Sequence, residues 1–246
     1  MHTEHHRWFS QALGHDMDLR VHGHYGQPIL FFPAQDGRYY DFENFKMLHA
    51  CAPLIEAGRI KVIAVDGVDW QGLTNSGTPP GDRVRRHGDY DRYITGEVVP
   101  FVQRQTGLKT VWGAGCSMGA LHSANFFFRR PDLFDGLIAM SGLYDLKLFV
   151  GGYTDDNVYF HSPLLYLPNL NDQWHMERYA RSKIVVAVGQ GRWEEDAIRD
   201  TRALHGILDF KGIPAWVDYW GFDMDHDWPT WHKMMPYFAD HMLRAG

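Results

Sequence analysis

Gly115-Cys116-Ser117-Met118-Gly119, inside "GAGCSMGA", has the G-x-S-x-G spacing that presents a serine nucleophile where a strand turns sharply into a helix. The turn holds the nucleophile in a strained conformation, and a side chain at either flanking position would obstruct the bend. Centred on Ser117, the flanking residues are Gly115 and Gly119; centred on Cys116, they are Ala114 and Met118. The register therefore selects Ser117 and leaves Cys116 as a small buried neighbour. A phosphate cradle is the competing reading of such a turn. It lacks both G-x-G-x-x-G and a Gly-Lys-Ser/Thr ending, because His122 and Ser123 stand where a lysine is needed.

A serine nucleophile needs a base and a group that orients the base. With the nucleophile first, the expected chain order is acid, then histidine. His226 lies in "WGFDMDHDWPTWHK", a loop between the last strand-like run and the last helical pattern, which makes it the candidate base. His122, five residues after Ser117 on the same helical pattern, is expected to point away from the reacting face. The acid should follow "KIVVAVG", where the chain continues "GQGRWEEDAIRD". Glu194 is the first carboxylate there and is the chosen acid, with Asp196, Asp223 and Asp225 as alternatives. Glu195 and Asp196 are also natural first-turn helix residues. The oxyanion needs two backbone donors: the amide of Met118, and one from "PILFFPAQDG", where Pro33 has no N–H and Gln35 is favoured over Ala34.

Positioning these groups requires a sheet. "PILFFP", "IKVIAVD", "TVWGAG", "GLIAMSG", "KIVVAVG" and "AWVDYWG" are apolar enough for strands buried on both faces, and segments of helical spacing separate them. That alternation predicts one doubly wound α/β domain over residues 1–246, mostly parallel, with helices on both faces. Gly58, Gly107 and Gly212 stand where helix ends are expected, and "DMDLRVHGHYG" reads as a leading hairpin strand. Two stretches, about 67–88 and 143–182, break the rhythm after predicted strand ends, the edge where open α/β sheets bind ligands. Trp70, Tyr159 and Phe160 within them are candidate substrate-binding residues, with Tyr153 and Tyr166 as further aromatics. Arg83, Arg85 and Arg86 read as a solvated face.

Composition narrows the function classes. The chain has 45% hydrophobic and 22% charged residues and a formal net charge of −6, the profile of a globular protein whose partner is not nucleic acid. No run of about 18 apolar residues or apolar leader occurs, so no membrane partner is expected and the reading is cytoplasmic. Two cysteines give no disulfide framework. "HTEHH", "VHGH" and "DMDHD" lack the spacing of a metal-ligand set, so neither metal nor cofactor is expected. Homo-oligomerisation is left open.

With these residues assembled, the chain resembles the esterase branch of the α/β-hydrolase superfamily, the group with esterase D-like and carbohydrate-esterase-like proteins. "PILFFPAQDGRYYDFENF", "GAGCSMGALHSANFFFRRPDLFDGLIAMSGLYD", "GQGRWEE" and "WGFDMDHDWPTWHKMMPYF" carry the resemblance over nearly the whole length. It implies a nucleophile at Ser117, a base at His226 and an acid within residues 189–196. "FFPAQDG" departs from the His-Gly type of oxyanion loop found in many relatives. The expectation is a serine carboxylesterase acting on a small-molecule ester through an acyl-enzyme, with an acyltransferase using the same triad as the alternative.

Overall fold

The apolar runs become strands in the computed structural model, which describes residues 1–244. β1 (Thr3–Ser10), β2 (His15–His22), β3 (Gln27–Phe32), β4 (Ile60–Val65), β5 (Val111–Cys116), β6 (Phe134–Met140), β7 (Lys183–Val188) and β8 (Trp216–Tyr219) form one eight-stranded sheet in the order β1-β2-β4-β3-β5-β6-β7-β8. Within it β2 alone runs against its neighbours; every pairing from β4 to β8 is parallel. After β3 come α1 (Asp41–Asn44) and α2 (Met47–Glu56), and after β4 come α3 (Pro80–Tyr93) and α4 (Val99–Thr106). α5 (Met118–Arg129) follows β5, and α6 (Lys147–Val150), α7 (Asp156–Phe160), α8 (Pro163–Tyr166) and α9 (Gln173–Tyr179) follow β6. α10 (Glu195–Phe210) follows β7 and α11 (Trp228–Arg244) follows β8. Among the described residues no helix is long and apolar enough to cross a membrane.

Strand periodicity divides the core between the two faces of the sheet. Ile29, Phe31, Val62, Ile138 and Val185 pack with Cys51 of α2 and with Trp231, Met234 and Phe238 of α11. Leu30, Phe32, Ile63, Leu137 and Val186 pack with Tyr90, Phe126, Phe127 and Leu204 on the opposite side. Each such side chain contributes about 1.5–3 kcal/mol of burial, so the helices are fixed to both faces as the alternation predicts.

Two elements differ from the sequence reading. β1 was not anticipated, because "TEHHRWFS" is polar; it is an edge strand with alternating exposure, tied to β2 by His5–Asp18 (2.7 Å) and Arg7–Asp16 (3.0 Å) contacts. The stretch 67–88 is irregular only in its first half. α3 starts at Pro80, inside that stretch, with proline at the first turn where its missing N–H costs nothing. Its buried face is Val84, His87, Tyr90 and Asp91, and a π-turn at Ile94–Val98 carries it into α4. The stretch 143–182 holds the four short helices α6–α9.

α3, α5 and α7 meet over a buried imidazole group. His122 Nε2 bonds Asp69 Oδ1 at 2.8 Å, and the His87 ring lies 5.2 Å from His122 and 4.6 Å from His161. His161 Nδ1 accepts from Asn125 (2.9 Å) and Arg129 (3.0 Å), so that nitrogen carries no proton. Burial, then the Arg129 charge, pushes His161 down to about 3; burial likewise holds His87 well below its ordinary value.

Two stability tests follow from this packing. A methyl group on Gly119 would lie 2.2 Å from Phe32 O and 2.6 Å from Pro33 O, so Gly119→Ala should cost about 1–3 kcal/mol, read as a lower urea midpoint at unchanged m. The unfolded chain takes up a proton on His161 near pH 6.5 and the folded chain only near 3, so the stability this group contributes is complete above 6.5 and falls as the pH drops through that window. The slope should be about 1.4 kcal/mol per pH unit. Urea titrations between pH 7 and 5 should show that fall, and His161→Asn should make it shallower.

Candidate active site

β5 delivers its last residue, Cys116, into the sheet and the chain reverses at Ser117, with φ 55° and ψ −120°, before α5 begins. That conformation is unusual for a residue with a β-carbon, and the packing imposes it. A β-carbon on Gly115 would stand 2.4 Å from the Gly119 backbone, so the two glycines let strand and helix touch. Ser117 N donates to Met140 O of β6 at 2.9 Å. Cys116 is fully buried and burial pushes its thiol up, while Ser117 is partly open to solvent.

The start of α5 presses on the end of β3, since Gly119 abuts the Phe32 and Pro33 carbonyls. The loop after β3 therefore lies beside the elbow. Gln35 is exposed there, followed by Asp36 at φ 55° and closed by a Gly37 N to Ala34 O bond of 2.9 Å. Met118 is the first residue of α5, a position whose N–H has no intrahelical acceptor.

His226 reaches Ser117 from the loop after β8: Nε2 lies 2.9 Å from Ser117 Oγ and Nδ1 lies 2.9 Å from Glu194 Oε2. The loops carrying Glu194 and His226 are zipped together. Gly191 N donates to Met224 O (2.9 Å), His226 N to Arg192 O (3.0 Å), and Arg192 binds Asp225 through its backbone N–H (2.8 Å) and guanidinium (2.6 Å). Glu194 is fully buried, and its second oxygen accepts from Ser141 Oγ at 2.6 Å and Gly189 N at 3.3 Å. A hydroxyl bonded to an imidazole whose other nitrogen faces a buried carboxylate has the partners needed to give up its proton.

The alternative acids have other partners. Asp225 is engaged by Arg192, which holds its carboxyl below the usual range. Asp196 pairs with Arg199 on the surface of α10, and Asp223 is exposed in the turn after β8. Trp70 lies exposed in a short 3-10 turn, Asp69–Gln71, at the same sheet edge. Tyr159 and Phe160 instead line a separate cavity of about 360 Å³ with Phe128, Arg129, Tyr166 and His175. Arg83 and Arg86 bond Leu73 O and Gln71, and Arg85 pairs with Asp82 on an exposed face. Both irregular stretches reach the elbow through an apolar cluster in which Leu73, Val84, Leu146, Val150 and Val158 cover Met118 and Leu121.

Sequence reasoning passed over Ser141 and Trp231, although both lie in quoted motifs. Trp231 Nε1 donates to Ser141 Oγ at 3.0 Å, and its ring stands nearly perpendicular to that of His226 at 5.1 Å. The signal available for Ser141 was its place immediately after a strand end at the ligand-binding edge.

A family model described as "Putative esterase" matches residues 10–239. The chain belongs to that family. The esterase is a carboxylic-ester hydrolase of α/β fold. It is similar to a solved ferulic acid esterase, with 16% identity over 100% of this chain and 99% of the other and a TM-score of 0.76. It is similar also to the fluorophosphonate-binding serine hydrolase F of Staphylococcus aureus (16% identity, 98% of each chain, TM-score 0.72). A third is a CE1 ferulic acid esterase of Anaeromyces mucronatus (13% identity, 97% of this chain and 89% of that one, TM-score 0.72). At these identities the likeness establishes the fold. The comparison with curated proteins finds no match.

The zipped loops generate a test. A β-carbon on Gly189 of the esterase would meet Met224 O at 2.1 Å and Glu194 Oε1 at 3.0 Å, wedging the Glu194 loop from the His226 loop. Gly189→Ala should lower kcat on an activated ester by about a hundredfold, since small misplacements cost that much. Circular dichroism should show the sheet retained.

Proposed function

We propose that the esterase cleaves a small-molecule carboxylic ester through an acyl-enzyme on Ser117. Ser117 Oγ attacks the ester carbonyl as His226 Nε2 takes its proton, and Glu194 holds the imidazole through Nδ1 and stabilises the imidazolium. The amides of Met118 and Gln35 receive the oxyanion. His226 then protonates the departing alcohol, and a water activated by the same nitrogen releases the acid and restores the serine.

The observation that carries this reading is the unbroken pair of 2.9 Å hydrogen bonds from Ser117 through His226 to Glu194. The strained φ of Ser117 supports it, because such strain persists at sites the surrounding structure over-determines. Likeness to a fluorophosphonate-binding serine hydrolase points the same way and supplies the probe.

Incubation with a fluorophosphonate followed by peptide mass spectrometry should place one adduct on Ser117. Ser117→Ala should lose the adduct and about 10⁴-fold or more of kcat, with an unchanged urea midpoint. Full turnover in that variant would sink the mechanism.

A further inference from the structure

We infer that Ser141 is a positioning residue for the acid of the site, its hydroxyl proton directed onto Glu194 by Trp231. The inference rests on the triad reading proposed above. An indole N–H only donates, so Trp231 Nε1, 3.0 Å from Ser141 Oγ, makes that oxygen an acceptor. A carboxylate only accepts, so at 2.6 Å the single Ser141 hydroxyl proton goes to Glu194 Oε1. With Trp231 on one side the rotor has one productive orientation. Gly189 N fills a second site on the same oxygen, which leaves Oε2 for His226 Nδ1.

Burial makes these bonds consequential. Ser141 and Glu194 are 0% exposed and Trp231 is 4% exposed, so little water can substitute for a missing donor, and hydrogen bonds to a charged group are stronger in such surroundings. Trp231 acts at both ends of the arrangement: its N–H sets the serine rotor, while its ring stands at 82° to the imidazole of His226 and limits that ring's tilt.

The backbone carries a second, independent sign. Ser141 follows the last residue of β6 at φ 53°, and its N–H donates to Ala187 O of β7 at 2.7 Å. This turn aims the side chain across β7 towards the loop that holds Glu194. Glycine takes positive φ without a steric penalty, and a glycine is the next residue, Gly142. The chain instead keeps a β-carbon at the unfavourable position, and what that β-carbon adds is the hydroxyl on Glu194.

Ser141→Gly separates this role from a structural one, because it removes the hydroxyl while relieving the backbone. With a p-nitrophenyl ester, kcat and kcat/KM should fall together by about ten- to a hundredfold at unchanged KM. The acid limb of kcat/KM against pH should move to higher pH. Without the donor the carboxylate turns more of its charge on the imidazole, and the pair takes up a proton sooner. Trp231→Phe, which frees the rotor but leaves the hydroxyl, should shift the limb in the same direction by less. Turnover and acid limb both unchanged in Ser141→Gly would overturn the inference, as would a loss of kcat with the limb unmoved. If Ser141→Gly fails to fold by urea titration, Trp231→Phe decides on the same two readouts. Fluorophosphonate labelling of the unmutated esterase keeps the two ideas apart: no adduct on Ser117 defeats the triad reading and this inference with it, whereas an adduct alongside unaltered Ser141 variants defeats this inference alone.

Discussion

A carboxylate with no exposure to water is the demand around which this sheet edge is organised. Taking a charge out of water is costly unless hydrogen bonds replace the lost hydration, and Glu194 receives them from three parts of the chain: Ser141 after β6, Gly189 after β7 and His226 after β8. Consecutive parallel strands bring those loops side by side. The parallel order is thus what allows the acid to be buried, and the buried acid is what holds His226 against the elbow.

Local strain concentrates at the same edge. Of the five described residues other than glycine with positive φ, four are Asp36, Ser117, Ser141 and Trp193, each just beyond a strand end or within the loop that follows it. Conformations of this kind cost about 1–3 kcal/mol each, and two well-filled cores on either side of the sheet stabilise the fold against them. The opposite edge, where the strands begin, carries none of the four.

Legibility in the sequence followed the range of the interaction. Ser117 could be read because its requirements are local: a strand before, a helix after and two glycines within four residues. His226 and Glu194 could be read from their places after strands, and the structure brings their side chains into contact. Ser141 and Trp231 could not, since their partnership joins positions 90 residues apart and each alone is an ordinary core residue. β1 escaped notice because its inward face is His6, Trp8 and Ser10, of which only Trp8 is apolar, and these residues pack on Phe101 and bond Glu97 far along the chain. The start of α3 was hidden by Gly81, Gly88 and a run of arginines, whose spacing conceals the buried stripe of Val84, His87 and Tyr90. Tyr159 and Phe160 were grouped with the site because both fall in a long irregular stretch, yet α7 turns them to a separate cavity.

The hydrogen-bonded circuit of Ser117, His226, Glu194, Ser141 and Trp231 closes only with the first turns of α11. A chain emerging from the ribosome displays the serine elbow more than a hundred residues before the imidazole that addresses it. Domains are completed as synthesis proceeds from the N-terminus, so Ser117 has no imidazole partner until the loop after β8 has emerged and packed. On the proposed triad reading, synthesis order thereby keeps the serine silent until the loops around it have assembled.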